Sequence, residues 1–402
     1  VYLIGRMFPF YLTEGFADEV RSVIIVIGAL TLFLTGLIAL VQNDIKKVLA
    51  YSTLSQLGYM VTAMGAGAYT AGLFHLFTHA FLKALLCLGA GSVIHAVHSN
   101  NMTDMGGLRR YMPQTFWTFV IGSAALAGIF PLAGFWSKDE ILASLSYDAG
   151  HGGGAVATLV LVMAILGAFV TAFYMTRAVW LTFFGEYKGD GNPHESPRVM
   201  TWPLWGLAGL AVVAGFFNIP GLTRAFTDWL GSRVNFEFFG GLHHAESLDW
   251  VLAAIGTAVA LAGIAAGTRL FRRDAATQRE RDAFRVPVLY PLLEQKYYVD
   301  PFYLNGVVGP ITGPIARFVV WTNQVILDGV VHAFGAAAQF ASRYVYGWAD
   351  QRGIDLAINA AAAGTGEAGG VVRKVQTGKV QQYAGALFAG AVLLVVGFLI
   401  FS

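Results

Sequence analysis

The sequence predicts an all-α polytopic membrane protein. It reads as a transmembrane helix bundle with one helix broken near 131–137, a long in-plane amphipathic helix, and a final transmembrane helix. Composition is the first reason. Of 402 residues, 56% are hydrophobic and only 12% charged, about half the usual charged share, too few to cover a water-facing surface. The second reason is a series of apolar segments near 22–42, 48–66, 71–97, 115–146, 155–184, 201–220, 249–270 and 382–401. A bilayer core needs about 20 apolar residues per helical span, and lipid offers no partner to unpaired backbone. The third is residues 302–360, which are apolar yet carry spaced charges.

Net charge is +2, and basic residues do not interleave with surface aromatics, so nucleic acid is excluded as a partner. Cys87 is the one cysteine. It cannot form an intrachain disulfide, and its apolar surroundings predict a buried, inert thiol. Residue 1 is Val, and the apolar stretch Val1–Leu12 is too short to span, so it reads as a partial first helix. The organisation expected is a transmembrane bundle over 1–220, a further span and basic loop over 221–300, a lateral helix over 301–375 and an anchoring span over 376–402.

Orientation follows from Lys and Arg in alternating loops. Lys46, Lys47, Arg109, Arg110, Lys188, Arg198, Arg269, Arg272, Arg273, Arg279, Arg281, Arg285 and Lys296 fall on one side, which is cytoplasmic or its equivalent. The other side holds little beyond Arg21, Arg224 and Arg233.

Within FHLFTHAFLKALLCLGAG, residues 74–91, His75, His79 and Lys83 recur every four residues. That spacing puts them within about 80° on one helix face. Each charged group at the bilayer centre costs about 2.5–3.5 kcal/mol on insertion scales. Lys83 lies about 21 Å from the helix end near 97, too far to snorkel comfortably. A proton path through the three groups and intervening water is favoured over simple helix–helix hydrogen bonding.

In GIFPLAGFWSKDEIL, residues 128–142, Pro131 and Gly134 break an apolar stretch that would run about 48 Å as one helix. Ser137 and Glu140 fit a capping box that starts a new helix near Lys138. Lys138 then opposes the dipole of that helix, whereas Asp139 and Glu140 suit it. Two readings stand: a broken helix facing a polar cavity, as at transporter ion sites, or a helix ending at the surface with a solvated cap. In QNDIKKVLAYSTLSQLGYM, residues 42–60, Tyr51, Ser52, Ser55, Gln56 and Tyr59 crowd one side, serving either hydration or helix–helix adhesion. Arg177 reads as a snorkelling residue.

Residues 302–360 contain Pro310 and Pro314, expected to break the helix early. Beyond them, Arg317, Asp328, His332, Arg343 and Asp350 fall within about 80° on a uniform wheel. So narrow a stripe on so long a helix predicts one lying along the membrane rather than across it.

QNDIKKVLAYSTLSQLGYM, FHLFTHAFLKALL, MGGLRR and GFWSKDEIL, in that order, resemble the antiporter-like subunits of proton-pumping NADH:quinone oxidoreductase, respiratory complex I. Multisubunit cation/proton antiporters and membrane-bound hydrogenases share these motifs. The lateral helix, the final span, KYYVDPFY and VQTGKVQQYA are similar to the distal member of the set, chain 5 or subunit L. The resemblance implies proton translocation without redox chemistry in this chain. His75, His79 and Lys83 then match the family's hydrophilic axis, and Lys138, followed by Asp139, matches its outlet lysine. Tyr59, Asp328 and His332 take supporting roles. FMN, iron–sulfur clusters and quinone belong to partner subunits, and the neighbours are other membrane-arm subunits, above all the adjacent antiporter-like one, and lipids. The location implied is an energy-transducing membrane, the bacterial inner or mitochondrial inner membrane. The family's first-repeat glutamate–lysine pair has no counterpart in this sequence. The alternative is a subunit of a cation/proton antiporter or membrane-bound hydrogenase.

Overall fold

The computed structural model describes residues 1–7, 10, 17–150, 154–219, 221–231, 249–272 and 289–401. Arg233, Arg273, Arg279, Arg281 and Arg285 of the orientation argument lie outside the described residues. The chain forms two units, Val1–Asp300 and Pro301–Ser402.

The first unit holds α1 (Tyr2–Arg6), α2 (Ala17–Val41), α3 (Ile45–Gly65), α4 (Tyr69–Val97), α5 (Pro113–Ala127), α6 (Ala133–Gly150), α7 (Gly154–Phe183), α8 (Arg198–Val213), α9 (Ala225–Gly231), α10 (Trp250–Phe271) and α11 (Leu289–Glu294). Among the described residues there are no strands, only two isolated bridges, Asp44–Asn101 and Ile219–Thr223. The helices alternate direction as the charge pattern predicts, and the basic-side loops are tied together. Asp44 pairs with Asn101, and the Gly106 and Gly107 amides donate to Thr182 O and Phe184 O. Asp44 also caps α3, its Oδ1 accepting from the Lys46 and Lys47 amides at 2.8 and 3.2 Å, which satisfies two orphan donors.

Small residues set how closely these helices approach. Gly58 on α3 lies against the backbone of Leu32 on α2, where any Cβ would collide. Lipid gives helices no hydrophobic drive to associate, so such contact is a main source of adhesion. Ser55 adds a bond across the same seam, Oγ to Leu32 O at 2.8 Å. Arg177 does not snorkel. It turns inward, donating to Gln42 O at 2.5 Å and Asn43 Oδ1 at 2.6 Å, and so caps the carbonyl end of α2. Cys87 corrects another expectation, because it is exposed. An apolar run does not distinguish the packed face of a membrane helix from its lipid face.

The break between α5 and α6 is real, but it falls at 128–132, and α6 begins at Ala133. The capping box does not form. Ser137 and Glu140 lie one to two turns inside α6, and their side chains bond to other helices. Gly128 ends α5 with φ of 84°, a left-handed residue that suits glycine. Gly134 packs on the Ala125 carbonyl so tightly that a side chain has no room.

The second unit contains most of α12, the 80-residue helical run Lys296–Val375, followed by α13 (Val380–Phe401). At about 1.5 Å per residue α12 is over 100 Å long, several times the bilayer core of about 30 Å. It therefore runs along a membrane, while α13, with 22 residues and a mean hydropathy of 2.6, fits across one. The expected proline break is absent. Tyr303–Val308 and Ile311–Ile315 adopt π-helical turns that carry the chain past Pro310 and Pro314. An i→i+5 pattern absorbs the lost N–H. Further π-helical segments at Thr322–Leu327 and Val345–Asp355 shift the phase of the wheel. Arg317 and Asp350 therefore cannot be placed on the stripe by a uniform 100° step. Asp328, His332 and Arg343 share the regular helix Asp328–Tyr344 and keep theirs.

Candidate functional site, a buried histidine–lysine axis

The site lies where α4 meets α3 and α6, with α7 joined to it through α3. His75 is fully buried, and His79, Lys138, Asp139 and Glu140 are each at most 5% exposed. On α4, His75 and His79 stand one turn apart with ring centroids 6.0 Å from each other. His75 is the hub. Its Nδ1 meets Ser137 Oγ of α6 at 2.8 Å, and its Nε2 meets Gln56 Oε1 of α3 at 3.1 Å. Thr78 donates to the same Ser137 oxygen at 2.8 Å. The Gln56 amide continues to Thr171 Oγ1 of α7 at 3.5 Å, and the Thr171 hydroxyl donates to Gly167 O at 2.8 Å.

Lys83 does not snorkel. It donates to Leu49 O and, at 2.6 Å, to Ser52 Oγ, both on α3. The buried Tyr174 hydroxyl of α7 lies near Ser52, Gln56 and Thr171 but has no hydrogen-bond partner among the described residues. Ser52, which holds Lys83, and Gln56, which holds His75, stand one turn apart on α3 beside Tyr174, with no hydrogen bond between them. The direct way up α4 passes His79, whose buried Nε2 has no hydrogen-bond partner among the described residues.

Lys138 points back across the helix break. Its Nζ donates to Leu126 O of α5 at 2.6 Å, one of the terminal carbonyls a helix leaves unpaired. The expected clash with the α6 dipole is thereby corrected: the ammonium sits at the negative end of α5. Tyr59 supplies a ring face 5.4 Å from the same Nζ, while its hydroxyl is spent on Ala164 O. Asp139 and Lys138 line a small cleft with Gly128, Leu142, Ala253 and Thr257, about 20 Å³ in volume, room for roughly one water. Glu140, next along α6, accepts from Asn218 Nδ2 at 3.0 Å, and Asn218 in turn accepts from Thr227 Oγ1 at 2.8 Å.

The bundle thus brings His75, His79, Lys83, Lys138, Asp139 and Tyr59 into one neighbourhood. Asp328 and His332 lie in the second unit, on α12, where His332 Nδ1 bonds Asp328 O at 2.7 Å. Sequence reasoning missed Ser137 and Gln56 as direct partners of His75, and missed Tyr174 altogether. Helix periodicity places a residue on a face but does not say which neighbouring helix that face meets.

A buried line of imidazoles, ammonium groups, hydroxyls and an amide, with no metal-binding cluster among the described residues, is suited to moving protons. The profile of the NADH:quinone oxidoreductase/Mrp antiporter transmembrane family matches residues 1–175. Similarity to curated relatives runs further along the chain. NAD(P)H-quinone oxidoreductase chain 5 of Picosynechococcus is 38% identical across 100% of this chain and 58% of its own length. NADH-quinone oxidoreductase subunit L of Neisseria meningitidis is 35% identical across 98% of this chain and 58% of its own. The chain therefore spans under three-fifths of these curated relatives. The fold is shared with a chain of the Mrp complex from Dietzia, at TM-score 0.53 and 23% identity over 84% of this chain and 36% of that one. A chain of an archaeal membrane-bound sulfane sulfur reductase matches at TM-score 0.50 and 24% identity, over 63% of this chain and 48% of its own.

Proposed function

We propose that this chain moves protons across an energy-transducing membrane, most simply a bacterial inner membrane, as the distal antiporter-like subunit of NADH:quinone oxidoreductase. The observation that carries the proposal is the His75–Ser137 hydrogen bond at 2.8 Å. It joins the ionisable face of α4 to the helix that holds Lys138. Lys83 and Lys138 are the charge-carrying ends, His75 and His79 stand between them, and Asp139 faces the cleft beside Lys138. Asp328 and His332 serve coupling along α12. Proton transfer between such groups needs hydrogen-bond reach or an intervening water. Ser52 and Gln56, one turn apart on α3 and beside Tyr174, hold Lys83 and His75, and a water between them would complete the path.

The subunit does no redox chemistry of its own. FMN, iron–sulfur clusters and quinone are assigned to partner subunits, and its neighbours are other membrane-arm subunits and lipid. Reconstituting the assembled complex with Lys83→Ala or Lys138→Ala, then recording proton uptake during NADH oxidation, tests this. Both variants should lose most of their pumping, and normal pumping by both overturns the path.

A further inference from the structure

We propose that Ser137 is a positioning residue whose hydroxyl switches between two acceptors, His75 Nδ1 and Ala133 O, according to whether His75 is protonated. The inference rests on the proton-path reading but adds a residue and a state to it.

Hydrogen-bond direction fixes the resting state. Thr171 gives its only hydrogen to Gly167 O, so its oxygen must accept from the Gln56 amide. The Gln56 carbonyl oxygen then faces His75 Nε2. A carbonyl can only accept, so Nε2 carries the hydrogen. In neutral His75 that leaves Nδ1 bare, and Ser137 must donate to it at 2.8 Å. The Ser137 oxygen in turn accepts from Thr78 at 2.8 Å.

When a proton reaches His75, an N–H bond forms at Nδ1 and both ring nitrogens become donors. Ser137 can no longer donate there. It keeps its own hydrogen and turns it to Ala133 O, already 3.3 Å away on the preceding turn, while its oxygen accepts from Nδ1. No bond breaks within Ser137, and no electron moves. Ser137 ties α6 to α4 in both settings, and the two differ in the back-bond. Only with His75 protonated does the hydroxyl also bond fully within α6, a contact that tends to bend helices. Lys138 is the next residue, so the charge on His75 reaches the helix segment that holds Lys138 to Leu126 O. The titratable groups facing His75 are His79 on α4, Lys138 on α6 and Tyr59 on α3, with Tyr174 on α7 beside its Gln56 partner.

The test uses the assembled complex with nitrogen-15-labelled histidine. In the unaltered protein, His75 should show the single Nε2–H tautomer when neutral. Ser137→Ala should keep that tautomer, which Gln56 holds, but lower proton uptake per NADH by about fivefold, the scale of one hydrogen bond, and shift the pH profile of uptake. Gln56→Met removes the acceptor at Nε2 and should move the hydrogen to Nδ1, a reading that stands even if Ser137→Ala fails to assemble. Lys138→Ala and Lys83→Ala are carried in parallel. Loss of pumping in Lys138→Ala, with an unchanged pH profile in Ser137→Ala and an unchanged tautomer in Gln56→Met, overturns the switch alone. Normal pumping in both Lys138→Ala and Lys83→Ala overturns the underlying path.

Discussion

Lys138 Nζ donates to the Leu126 carbonyl at 2.6 Å, so a side chain of α6 closes the open end of α5. The two halves of the broken helix are joined by a group that is also the leading candidate for carrying charge. Loss of the Lys138 proton would weaken the charge-assisted part of that bond. On the proposed path, transfer there is coupled to the geometry of the break.

Replacing Lys138 with Met tests the structural half of this. It keeps the length of the side chain and deletes the donor, leaving a buried carbonyl unpaired. The assembled complex should lose about 1–3 kcal/mol of stability, read as a lower midpoint in a thermal or detergent melt. Pumping should fall with it. An unchanged midpoint would show that Leu126 O finds another partner.

Tyr59 separates ring from hydroxyl. Tyr59→Phe loses the bond to Ala164 O but keeps the ring face near Lys138. It should cost roughly 0.6–2 kcal/mol of stability and leave pumping nearly intact. Tyr59→Leu removes the face as well, and pumping should drop by about 2- to 10-fold, the scale of one cation–π contact. Equal pumping in the two variants would remove the ring from the mechanism.

Gly58→Leu should prevent α2 and α3 from seating, because the backbone of Leu32 occupies the space. The expected readout is loss of the subunit from membranes, measured by immunoblot against a co-purifying partner. Gly91, where a Cβ meets nothing, is the control, and Gly91→Leu should accumulate normally.

Cys87 faces outward from α4. A nitroxide attached there should relax with lipid-soluble oxygen and resist a water-soluble nickel chelate. The reverse pattern would show that a polar cavity, not lipid, lies against that face.

The membrane class, the order and approximate bounds of the long bundle helices, their alternation and the His75–His79–Lys83 face were legible in the residues alone. Those features depend on composition and on local period, which a bilayer enforces by leaving no alternative for unpaired backbone. Lys138 and Asp139 were legible through their motif, although the start of their helix was displaced by five residues. The capping box that placed it is a local pattern, whereas Ser137 and Glu140 found stronger partners in His75 and Asn218. Tertiary structure alone decided which neighbour each polar face meets: Lys83 on Ser52, Lys138 on Leu126 O, His75 between Ser137 and Gln56. It also decided that Cys87 looks out and that α12 passes its prolines in π-helical turns. Hydrophobic period cannot rank the faces of a helix that is apolar on nearly every side. Contacts between backbones do so, and they depend on residues far apart in the chain.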